Sequence, residues 1–490
     1  MARLRILGAA DVAPGEYVTM ARTYEMFIGG RQVTAAAHRE ILNPADQSVV
    51  GLCPVGTVEH LEAALGAATE AFGSWSHSSD AQRKAACTTI ARIVTENAAE
   101  LAALVTREQG KPLKGLGSEF ELGGCAAWAA YTGSQDLPVR VLENSAVKHV
   151  EMRREPIGVV GSITPWNWPL MIAIWHLVPA IRTGNTVVIK PSPFTPLGTL
   201  RMVELLAAQL PPGVLNVVAG DDALGAALSR HPKVKKVVFT GSAATGRKVM
   251  ASAAPTLKHL TLELGGNDPG IVLPDADLQK LIEPMFWGAF INSGQTCAAL
   301  KRLYVPEALY DKVCAGLIQY AKAVPMGDGM NEATRLGPLQ NEPQFRKVSE
   351  LVDDARRHGG EVLLGGEARP GPGYFYPATF VGNLGNGVRL VDEEQFGPAL
   401  PIVRYRRLED AIDWANAGDY GLSASVWGTD TAALAAVAQQ LQAGTVFINK
   451  HAEVAPNVPF GGIKGSGLGV EFGQEGLEAY TTIKIINAAA

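Results

Sequence analysis

The sequence lacks the features that mark membrane-spanning and nucleic-acid-binding proteins. No uninterrupted apolar run approaches the roughly 20 residues that cross a bilayer. A net charge of -5 gives no electrostatic reason to expect nucleic acid or an acidic membrane surface as a partner. Internal repeats and low-complexity tracts are also absent. With 47% hydrophobic and 19% charged residues, the composition is that of an ordinary globular enzyme.

Cysteine is scarce, and its spacing forms no recognisable site. The chain has five cysteines, an odd number, without a CxxC pair. This argues against a disulfide framework and against a zinc site, and it favours a reducing compartment. We therefore expect a cytoplasmic protein without a bound metal. The five positions are Cys53, Cys87, Cys125, Cys297 and Cys314.

The N-terminus does not resemble a signal peptide. It begins with basic residues, but its apolar stretch is short and Asp11 interrupts it. We expect residues 1–22 to form a leader outside the folded part, with Met20 as an alternative start. At 490 residues the chain is too long for a single core, so we expect two or three domains.

From Gly158 onward, short β-branched runs alternate with segments of helical periodicity. The runs are IGVVGSIT, NTVVIKPS, GVLNVVAG and KKVVFTGS. Buried strands that alternate with helices predict a parallel, doubly wound α/β sheet. Such sheets bind ligands at the carboxyl ends of their strands, where these runs end in Gly, Ser or Thr. Residues 261–273 look like the hinge into a second α/β unit.

Other segments predict single elements. Residues 80–109 form one long helical pattern, and residues 139–154 alternate as a hairpin does. The hairpin has no core of its own, and an exposed edge of this kind often pairs with another subunit. Residues 278–292 predict a helix and residues 325–349 a long polar region, while the C-terminal YTTIKIINA predicts an alternating strand.

Cys297 is the most reactive candidate. It lies in FINSGQTCA, directly after an apolar run of helical periodicity, and Gly294 opens a loop before it. A free thiol has a pKa of about 8.5, so only a small thiolate fraction exists at neutral pH, but thiolate is strongly nucleophilic. A lone cysteine is more often a packing residue. The glycine-bearing loop favours the nucleophile instead.

Two polar residues lie in apolar surroundings. Glu263, in LELGGN, is flanked by leucines, and burial would raise its pKa as a general base requires. Alternatively, the following Gly-Gly amides satisfy a buried glutamate. Asn167, in ITPWNWP, has a side-chain amide suited to a developing oxyanion. A turn asparagine before proline is the simpler interpretation of that position.

Three further motifs are compatible with a dinucleotide. Lys190 ends a buried strand, where a charge must be paired or ligand-bound. Gly241 and Ser242 lie between a strand and a helix, and amides at a helix N-terminus bind pyrophosphate, although FTGSAATG is not GxGxxG. Glu394 and Phe396, in EEQFGP, would suit a ribose and a nicotinamide face, but a Glu-Glu pair is usually solvated charge.

Together these motifs resemble the aldehyde dehydrogenase superfamily from about Tyr24 onward. The family's glutamate signature corresponds to LELGGNDP and its cysteine signature to FINSGQTCA. The motifs PWN, IKPS, FTGS, EEQFGP, PFGG and GLEAYT occur in the family's order. The chain is therefore similar to an enzyme that oxidises a small aldehyde with NAD or NADP.

The resemblance implies a role for each site residue. Cys297 attacks the aldehyde, Asn167 and the Cys297 amide hold the oxyanion, Glu263 activates the water that hydrolyses the thioester, and Glu471 assists proton relay. The implied cofactor-binding residues are Ile163, Thr164, Pro165, Trp166, Lys190, Ser192, Pro193, Gly220, Phe239, Thr240, Gly241, Ser242, Thr245, Leu264, Glu394 and Phe396. The implied substrate-binding residues are Trp168, Met171, Trp175, Thr296, Ala298, Val454 and Phe460.

Two departures refine this expectation. Pro193 stands where many NAD-preferring members carry a glutamate, so we expect NADP to be at least tolerated. The presumed substrate tunnel is apolar and contains no arginine, which favours an uncharged aliphatic or aromatic aldehyde. His451, near the entrance, is expected to be a surface loop residue.

The resemblance also implies a fold of three parts. It places a dinucleotide-binding domain at 23–135 and 155–263, a catalytic domain at 264–474, and an oligomerisation element at 136–154 and 475–490. Both domains would be Rossmann-like open sheets, and the third element would assemble a homo-oligomer, either a dimer or a tetramer. Two other functions stay open: a CoA-acylating dehydrogenase, whose relatives generally lack the glutamate base, and a non-catalytic structural paralogue.

Overall fold

The structure, a computed structural model, describes residues 22–489 of the chain. The predicted leader lies outside this range except for Arg22, so its role and the alternative start at Met20 stay predictions. No helix among the described residues combines the length and the apolar character needed to cross a bilayer.

The described chain consists of alternating strands and helices. Residues 22–263 form, in chain order, β1 (Met26–Ile28), β2 (Arg31–Val33), β3 (His38–Leu42), β4 (Val49–Pro54), α1 (Val58–Trp75), α2 (Asp80–Glu96), α3 (Ala98–Gln109), α4 (Ser118–Ser134), β5 (Arg140–Asn144), β6 (Lys148–Pro156), β7 (Val159–Ile163), α5 (Pro169–Arg182), β8 (Thr186–Lys190), α6 (Leu197–Ala207), β9 (Leu215–Val217), α7 (Asp222–Arg230), β10 (Val234–Thr240), α8 (Ala243–Ala253) and β11 (His259–Glu263).

The second half continues in the same way. It forms β12 (Asp268–Val272), α9 (Leu278–Phe290), β13 (Leu300–Pro306), α10 (Tyr310–Lys322), α11 (Glu342–Arg357), β14 (Glu361–Leu364), β15 (Thr379–Leu384), α12 (Arg389–Asp392), β16 (Ala399–Tyr405), α13 (Leu408–Asn416), β17 (Tyr420–Gly421), β18 (Ser423–Trp427), α14 (Thr431–Ala438), β19 (Thr445–Ile448), β20 (Ile463–Lys464), β21 (Gly467–Leu468), α15 (Gly473–Glu478) and β22 (Thr481–Ala489).

The first large sheet has the strand order β2-β1-β9-β8-β7-β10-β11-β21. Its strands from β9 to β11 are parallel. Successive side chains of a strand point to opposite faces. Val187 and Ile189 therefore pack into one core with α5 and α6, while Val188 packs into another with α1 and α7. Helices on both faces make this a doubly wound sheet, as predicted.

The second large sheet has the order β14-β15-β16-β13-β12-β18-β19 and is parallel except for β14. It too separates two cores, with Ile271 on one face and Val272 on the other. This confirms the prediction of two Rossmann-like open sheets. The chain passes from the first sheet to the second between Glu263 and Asp268. The domain boundaries stay a prediction, and β21, which we assigned to the catalytic part, pairs with β11 in the first sheet.

The predicted hairpin and the C-terminal strand form one separate sheet with the order β22-β6-β5. Its register pairs Thr481 with Pro156 and Ile485 with Met152. The hydrophobic side chains of Val141 and Ile483 on this sheet are more than half exposed. This exposure agrees with a role in assembly, but the homo-oligomer itself stays a prediction.

The prediction of one long helix over residues 80–109 is wrong. The segment forms α2 and α3, because Asn97 leaves the helical conformation at φ -110° and ψ 12°. The Asn97 side-chain amide donates a hydrogen bond of 2.8 Å to the carbonyl oxygen of Ile93 and so ends α2. Asparagine competes with the helix in this way through its short polar side chain.

The polar region 325–349 is also not irregular throughout, because α11 begins at Glu342. The Asn341 side-chain oxygen accepts a hydrogen bond of 3.0 Å from the Gln344 amide and caps this helix. Val348 and Leu351 bury its apolar stripe against the second sheet. The polar outer face concealed this stripe in the sequence.

A buried ion pair joins α4 to the loop before it and to α5. The Lys111 ammonium lies 2.6 Å from a Glu121 carboxylate oxygen, and both side chains have an exposed fraction of 0%. Lys111 also donates a hydrogen bond of 2.8 Å to the carbonyl oxygen of Asn167. The second Glu121 oxygen accepts from the amides of Leu170 and Met171 at 2.9 and 3.1 Å, in the first turn of α5. One carboxylate thus caps α5 and holds the cation that fixes the preceding loop.

We expect Lys111→Met to lower the free energy of unfolding by about 3 to 5 kcal/mol, because Glu121 then keeps a buried charge without its cation. The matched control is Lys114→Met. It removes a pair with Glu119 of similar length, 2.7 Å, whose side chains are 41% and 48% exposed. That change is expected to cost about 0 to 1 kcal/mol. Urea unfolding followed by tryptophan fluorescence measures both losses, and equal losses in the two variants would contradict the expectation.

Candidate active site

The loop of residues 290–298, the cysteine loop, leaves α9 through an unusual backbone. Asn292, Ser293 and Gly294 have φ of 51°, 54° and 74°, so three consecutive residues are left-handed. A Cβ atom at Gly294 would lie 2.3 Å from the carbonyl oxygen of Gly397, so only glycine fits there. Strained backbone of this kind clusters at functional sites. Here it turns the chain out of the helix just before Cys297.

Cys297 lines a cavity of about 560 Å³. It is half-buried, whereas the four other cysteines are buried. Burial raises the pKa of its thiol to about 12. All seven predicted substrate residues line the same cavity. They are Trp168, Met171, Trp175, Thr296, Ala298, Val454 and Phe460.

Asn167 lies against the cysteine loop. Its side-chain amide donates a hydrogen bond of 3.0 Å to the carbonyl oxygen of Gln295. Its own carbonyl oxygen accepts from Lys111 and, at 2.9 Å, from the Asn292 side chain. An amide group carries two hydrogens, so one bond to Gln295 leaves a second donor. Next to it, the Trp168 indole donates to the Thr296 hydroxyl at 3.0 Å and closes the loop from the cavity side.

Glu263, at the end of β11, is a buried carboxylate, and its Oε1 atom makes no hydrogen bond to any described residue. The alternative of a glutamate satisfied by the following glycine amides is wrong for Gly266, whose N–H donates instead to Glu394 at 3.0 Å. Burial raises the pKa of Glu263 well above its ordinary value, and the neighbouring charge of Glu471 raises it further. The two carboxylates thus lie close enough to interact within the buried interior.

His176, which the sequence analysis missed, contacts this carboxylate pair. Its Nε2 lies 3.2 Å from Glu471 Oε1, and both side chains are buried. The ring also bonds the hydroxyls of Ser162 at 2.9 Å and Thr240 at 3.1 Å. Thr240 thus bonds His176, and its predicted contact with the cofactor stays a prediction. The regular apolar spacing of α5 gave no sign that a polar partner lay opposite this histidine.

The predicted cofactor residues gather along the carboxyl edge of the first sheet. After its strands, and in the loop before β16, lie Ile163, Thr164, Pro165, Trp166, Lys190, Ser192, Pro193, Gly220, Phe239, Thr240, Gly241, Ser242, Thr245, Leu264, Glu394 and Phe396. The Thr164 hydroxyl is buried and has no hydrogen-bond partner among the described residues. Lys190 is buried as well, and burial lowers its pKa to about 8. Ser242 caps α8 at an exposed N-terminus. An orphaned hydroxyl, a buried ammonium and a helix N-terminus on one edge fit a dinucleotide.

Glu394 and Phe396 lie in the loop before β16, next to this edge of the first sheet. The expected solvation of the Glu-Glu pair holds only for Glu393, which binds Arg389 on the surface. Glu394 is half-buried, and its partial removal from solvent raises its pKa. Phe396 has φ of 50°, and its ring stands nearly perpendicular to the Trp166 ring with centroids 5.3 Å apart. The two aromatic rings bracket the space between the two sheets.

The expectation that His451 is a surface residue is wrong. Its side chain has an exposed fraction of 0% and lines the cavity. Neither ring nitrogen has a hydrogen-bond partner in the part of the chain that the structure describes. Burial lowers its pKa to about 3, so the ring is neutral. Gly288 makes room for it, because a Cβ atom there would lie 2.8 Å from the Cβ of His451.

Comparisons with known proteins agree with this geometry. The model of the aldehyde dehydrogenase family matches residues 32–486. A "Probable aldehyde dehydrogenase" of Pseudomonas sp. is 40% identical over 470 residues, which is 94% of either chain. The phenylacetaldehyde dehydrogenase of Pseudomonas fluorescens is 37% identical, over 94% of this chain and 95% of that one.

Solved structures extend the likeness to three dimensions. The structure of an aldehyde dehydrogenase from Bacillus cereus in complex with NAD+ superposes with a TM-score of 0.93 at 35% sequence identity. The superposition covers 96% of this chain and 97% of that one. Because both the family model and these relatives span nearly its whole length, the chain belongs to the aldehyde dehydrogenase family.

Proposed function

We propose that the protein oxidises an uncharged aliphatic or aromatic aldehyde to its carboxylic acid with NAD or NADP. One observation carries the proposal. A half-buried thiol lines an apolar cavity, and a buried carboxylate, one oxygen of which has no hydrogen-bond partner among residues 22–489, lies close enough that its charge raises the pKa of that thiol. Thiol and base converge next to the edge of the sheet that fits a dinucleotide.

The first half of the reaction forms a bond to sulfur. The Cys297 thiolate attacks the carbonyl carbon, and the aldehyde oxygen becomes an oxyanion. The Asn167 side chain and the Cys297 amide donate hydrogen bonds to it, a type of contact whose loss typically costs about 3 to 4 kcal/mol of transition-state stabilisation. When bound, the nicotinamide ring accepts the hydride that leaves this carbon. The carbon then remains attached to Cys297 as a thioester.

The second half breaks that bond. Glu263 takes a proton from a water molecule, whose oxygen attacks the thioester carbon. The carboxylic acid leaves, and Cys297 recovers its thiolate. Glu471, next to Glu263, provides an onward acceptor for the proton. The raised pKa of Glu263 suits a base, because a carboxylate of ordinary pKa binds a proton too weakly at neutral pH.

The chain offers specific groups for the cofactor. Lys190 would bind the adenosine ribose, the α8 N-terminus at Ser242 the pyrophosphate, and Glu394 with Phe396 the nicotinamide end. Thr164 and Trp166 would line the cleft between them. The buried Thr164 hydroxyl supports this placement, since a buried polar atom normally has a partner.

We expect hexanal and benzaldehyde to be turned over with kcat/KM at least about tenfold above that of succinic semialdehyde, because a carboxylate entering this cavity meets no arginine and is costly to bury. Lys450 and Glu453 also line the cavity, but they form an ion pair with each other at 2.9 Å. Reduced-cofactor absorbance without added CoA measures the rates, with Cys297→Ala as the inactive control. Faster succinic semialdehyde oxidation would contradict the substrate class, and a strict need for CoA would favour the acylating reaction.

We expect Glu263→Gln to form the first equivalent of reduced cofactor and then to stall, because the amide cannot take the proton of the hydrolytic water. Stopped-flow absorbance would show a burst followed by a steady rate at least about 100-fold below that of the parent enzyme. Cys297→Ala should show neither burst nor turnover. A full steady-state rate in Glu263→Gln would remove this residue from the mechanism.

We expect NADP to be used as well as NAD, because Pro193 places no carboxylate near a 2′-phosphate. Arg39 supports this, since its guanidinium donates a hydrogen bond of 2.7 Å to the carbonyl oxygen of Pro193 and lies near Lys190. Arg39→Gln should lower kcat/KM for NADP about tenfold, the equivalent of one charge-assisted hydrogen bond, with little change for NAD. Pro193→Glu should abolish the use of NADP. Strict NAD use by the parent enzyme would contradict the prediction.

A further inference from the structure

Lys301, in β13, is a buried cation that binds the cysteine loop from behind. Its exposed fraction is 1%. Its ammonium donates hydrogen bonds to the carbonyl oxygens of Thr296, Cys297 and Ala299 at 2.6, 3.0 and 3.5 Å. No carboxylate in the part of the chain that the structure describes lies within 4.0 Å of it. A buried ammonium is costly unless its hydrogen bonds are made, and here three backbone carbonyls make them.

These bonds fix the orientation of two peptide groups. In a trans peptide the carbonyl and the following N–H point in opposite directions, and none of the described peptide bonds is cis. Because Lys301 holds the carbonyls of Thr296 and Cys297, the amides of Cys297 and Ala298 point away from Lys301. The Cys297 amide is the donor that the oxyanion requires. Its direction is therefore set by a side chain that never meets the substrate.

The same ammonium acts on the charge of the thiol. The titratable groups around Cys297 are Lys301 on β13, Glu263 on β11, Asp268 on β12 and His451, which lines the same cavity and whose Nε2 lies 3.9 Å from Asp268. Burial and both carboxylates raise the pKa of the thiol, and Lys301 lowers it. His451 has a pKa lowered to about 3 and is neutral. Lys301 is thus the cation that opposes the two carboxylates at the sulfur.

Asp268 acts on the pKa of Cys297 in the opposite direction to Lys301. Removing one charge or the other therefore tests the effect of charge on the thiol in both directions. The Asp268 carboxylate lies next to the cysteine loop, since a Cβ atom at Gly266 would meet both an Asp268 oxygen, at 2.5 Å, and the Cys297 carbonyl oxygen, at 3.1 Å. The Ser423 hydroxyl donates to the second Asp268 oxygen. Burial raises the pKa of Asp268 to about 7, so above neutral pH it carries a negative charge close to the thiol.

We propose that Lys301 is a positioning residue, whose ammonium turns the Cys297 amide toward the substrate and the Ala298 amide toward the Cys297 sulfur, and which stabilises the thiolate form of Cys297. This role rests on the proposed function of Cys297 as the nucleophile. It needs no histidine beside the sulfur, because a fixed cation takes the place of the imidazolium found in other cysteine enzymes. The three backbone carbonyls hold the Lys301 ammonium in place, and the ammonium in turn fixes the conformation of the cysteine loop.

The test measures the protonation of Cys297 in the full-length protein as a function of pH. Alkylation by iodoacetamide, followed by mass spectrometry of the peptide that contains Cys297, reports the reactive thiolate. The ultraviolet absorbance of the thiolate, taken as the difference from the same protein carrying Cys297→Ala, reports its amount. The variants are Lys301→Met, which removes charge and donors, and Lys301→Gln, which keeps amide donors without the charge. Asp268→Asn is the variant of opposite sign.

We expect the alkylation profile of Lys301→Met and Lys301→Gln to move to higher pH by about one unit, which is about tenfold slower alkylation at a fixed lower pH. Asp268→Asn should move the profile to lower pH. In aldehyde oxidation Lys301→Met should lower kcat with KM nearly unchanged, and Lys301→Gln should recover part of kcat through its amide donors.

A purely structural role would lower thermal stability and leave the pH profile in place. Superimposable profiles of the Lys301 variants and the parent would therefore overturn the proposal, as would shifts of the Lys301 and Asp268 variants in the same direction. If neither Lys301 variant folds, an Asp268→Asn profile that fails to move to lower pH overturns it. Aldehyde turnover by the parent enzyme tests the proposed function separately, since alkylation requires no aldehyde and no cofactor.

Discussion

The buried contact between Lys111 and Glu121 is the constraint on which the site depends. Removing two charges from water is costly, and only close contact together with further hydrogen bonds offsets that cost. Here the further contacts all involve residues of the candidate site. Lys111 bonds the carbonyl oxygen of Asn167 and lies 3.6 Å from the centroid of the Trp168 ring. Glu121 caps α5. Asn167 in turn bonds the cysteine loop. Through these contacts, a single ion pair fixes the position of the cysteine loop relative to α4.

The two sheets contribute different chemical groups to the candidate site. The first brings a carboxyl edge with hydroxyls, a lysine and a helix N-terminus, and the second brings the thiol. Both candidate reacting groups are driven toward their neutral forms, since burial raises the pKa of Cys297 and of Glu263 alike. A dry site strengthens every remaining charge and dipole. The fixed ammonium of Lys301 and the oriented amides therefore act on the sulfur more strongly than they would in water.

The sequence predicts much of the fold and fails where a contact is not local. Alternating β-branched runs predict the first sheet because the period of a strand is a local property. The break at Asn97 was missed because a single side-chain hydrogen bond ends the helix there. The helix from Glu342 was missed because only its buried apolar stripe distinguishes it from a polar loop. Motifs likewise located Cys297 and Glu263. Lys301 was missed, and His451 was assigned to the surface, because a charge in a strand and a histidine in a loop are usually exposed, and only the packing of distant segments buries them here.

In the proposed mechanism, Glu471 and the groups around it give the buried base Glu263 a route for its proton. Burial raises the pKa of Glu263, and the charge of the neighbouring Glu471 raises it further, so Glu263 binds a proton more readily than an exposed carboxylate does. His176 contacts Glu471, at 3.2 Å, and bonds the hydroxyls of Ser162 and Thr240. A proton taken up by Glu263 therefore has acceptors that lead away from the sulfur. In this mechanism Cys297 would then be free to attack again, because burial raises the pKa of its thiol and a proton returned to the sulfur would stay there.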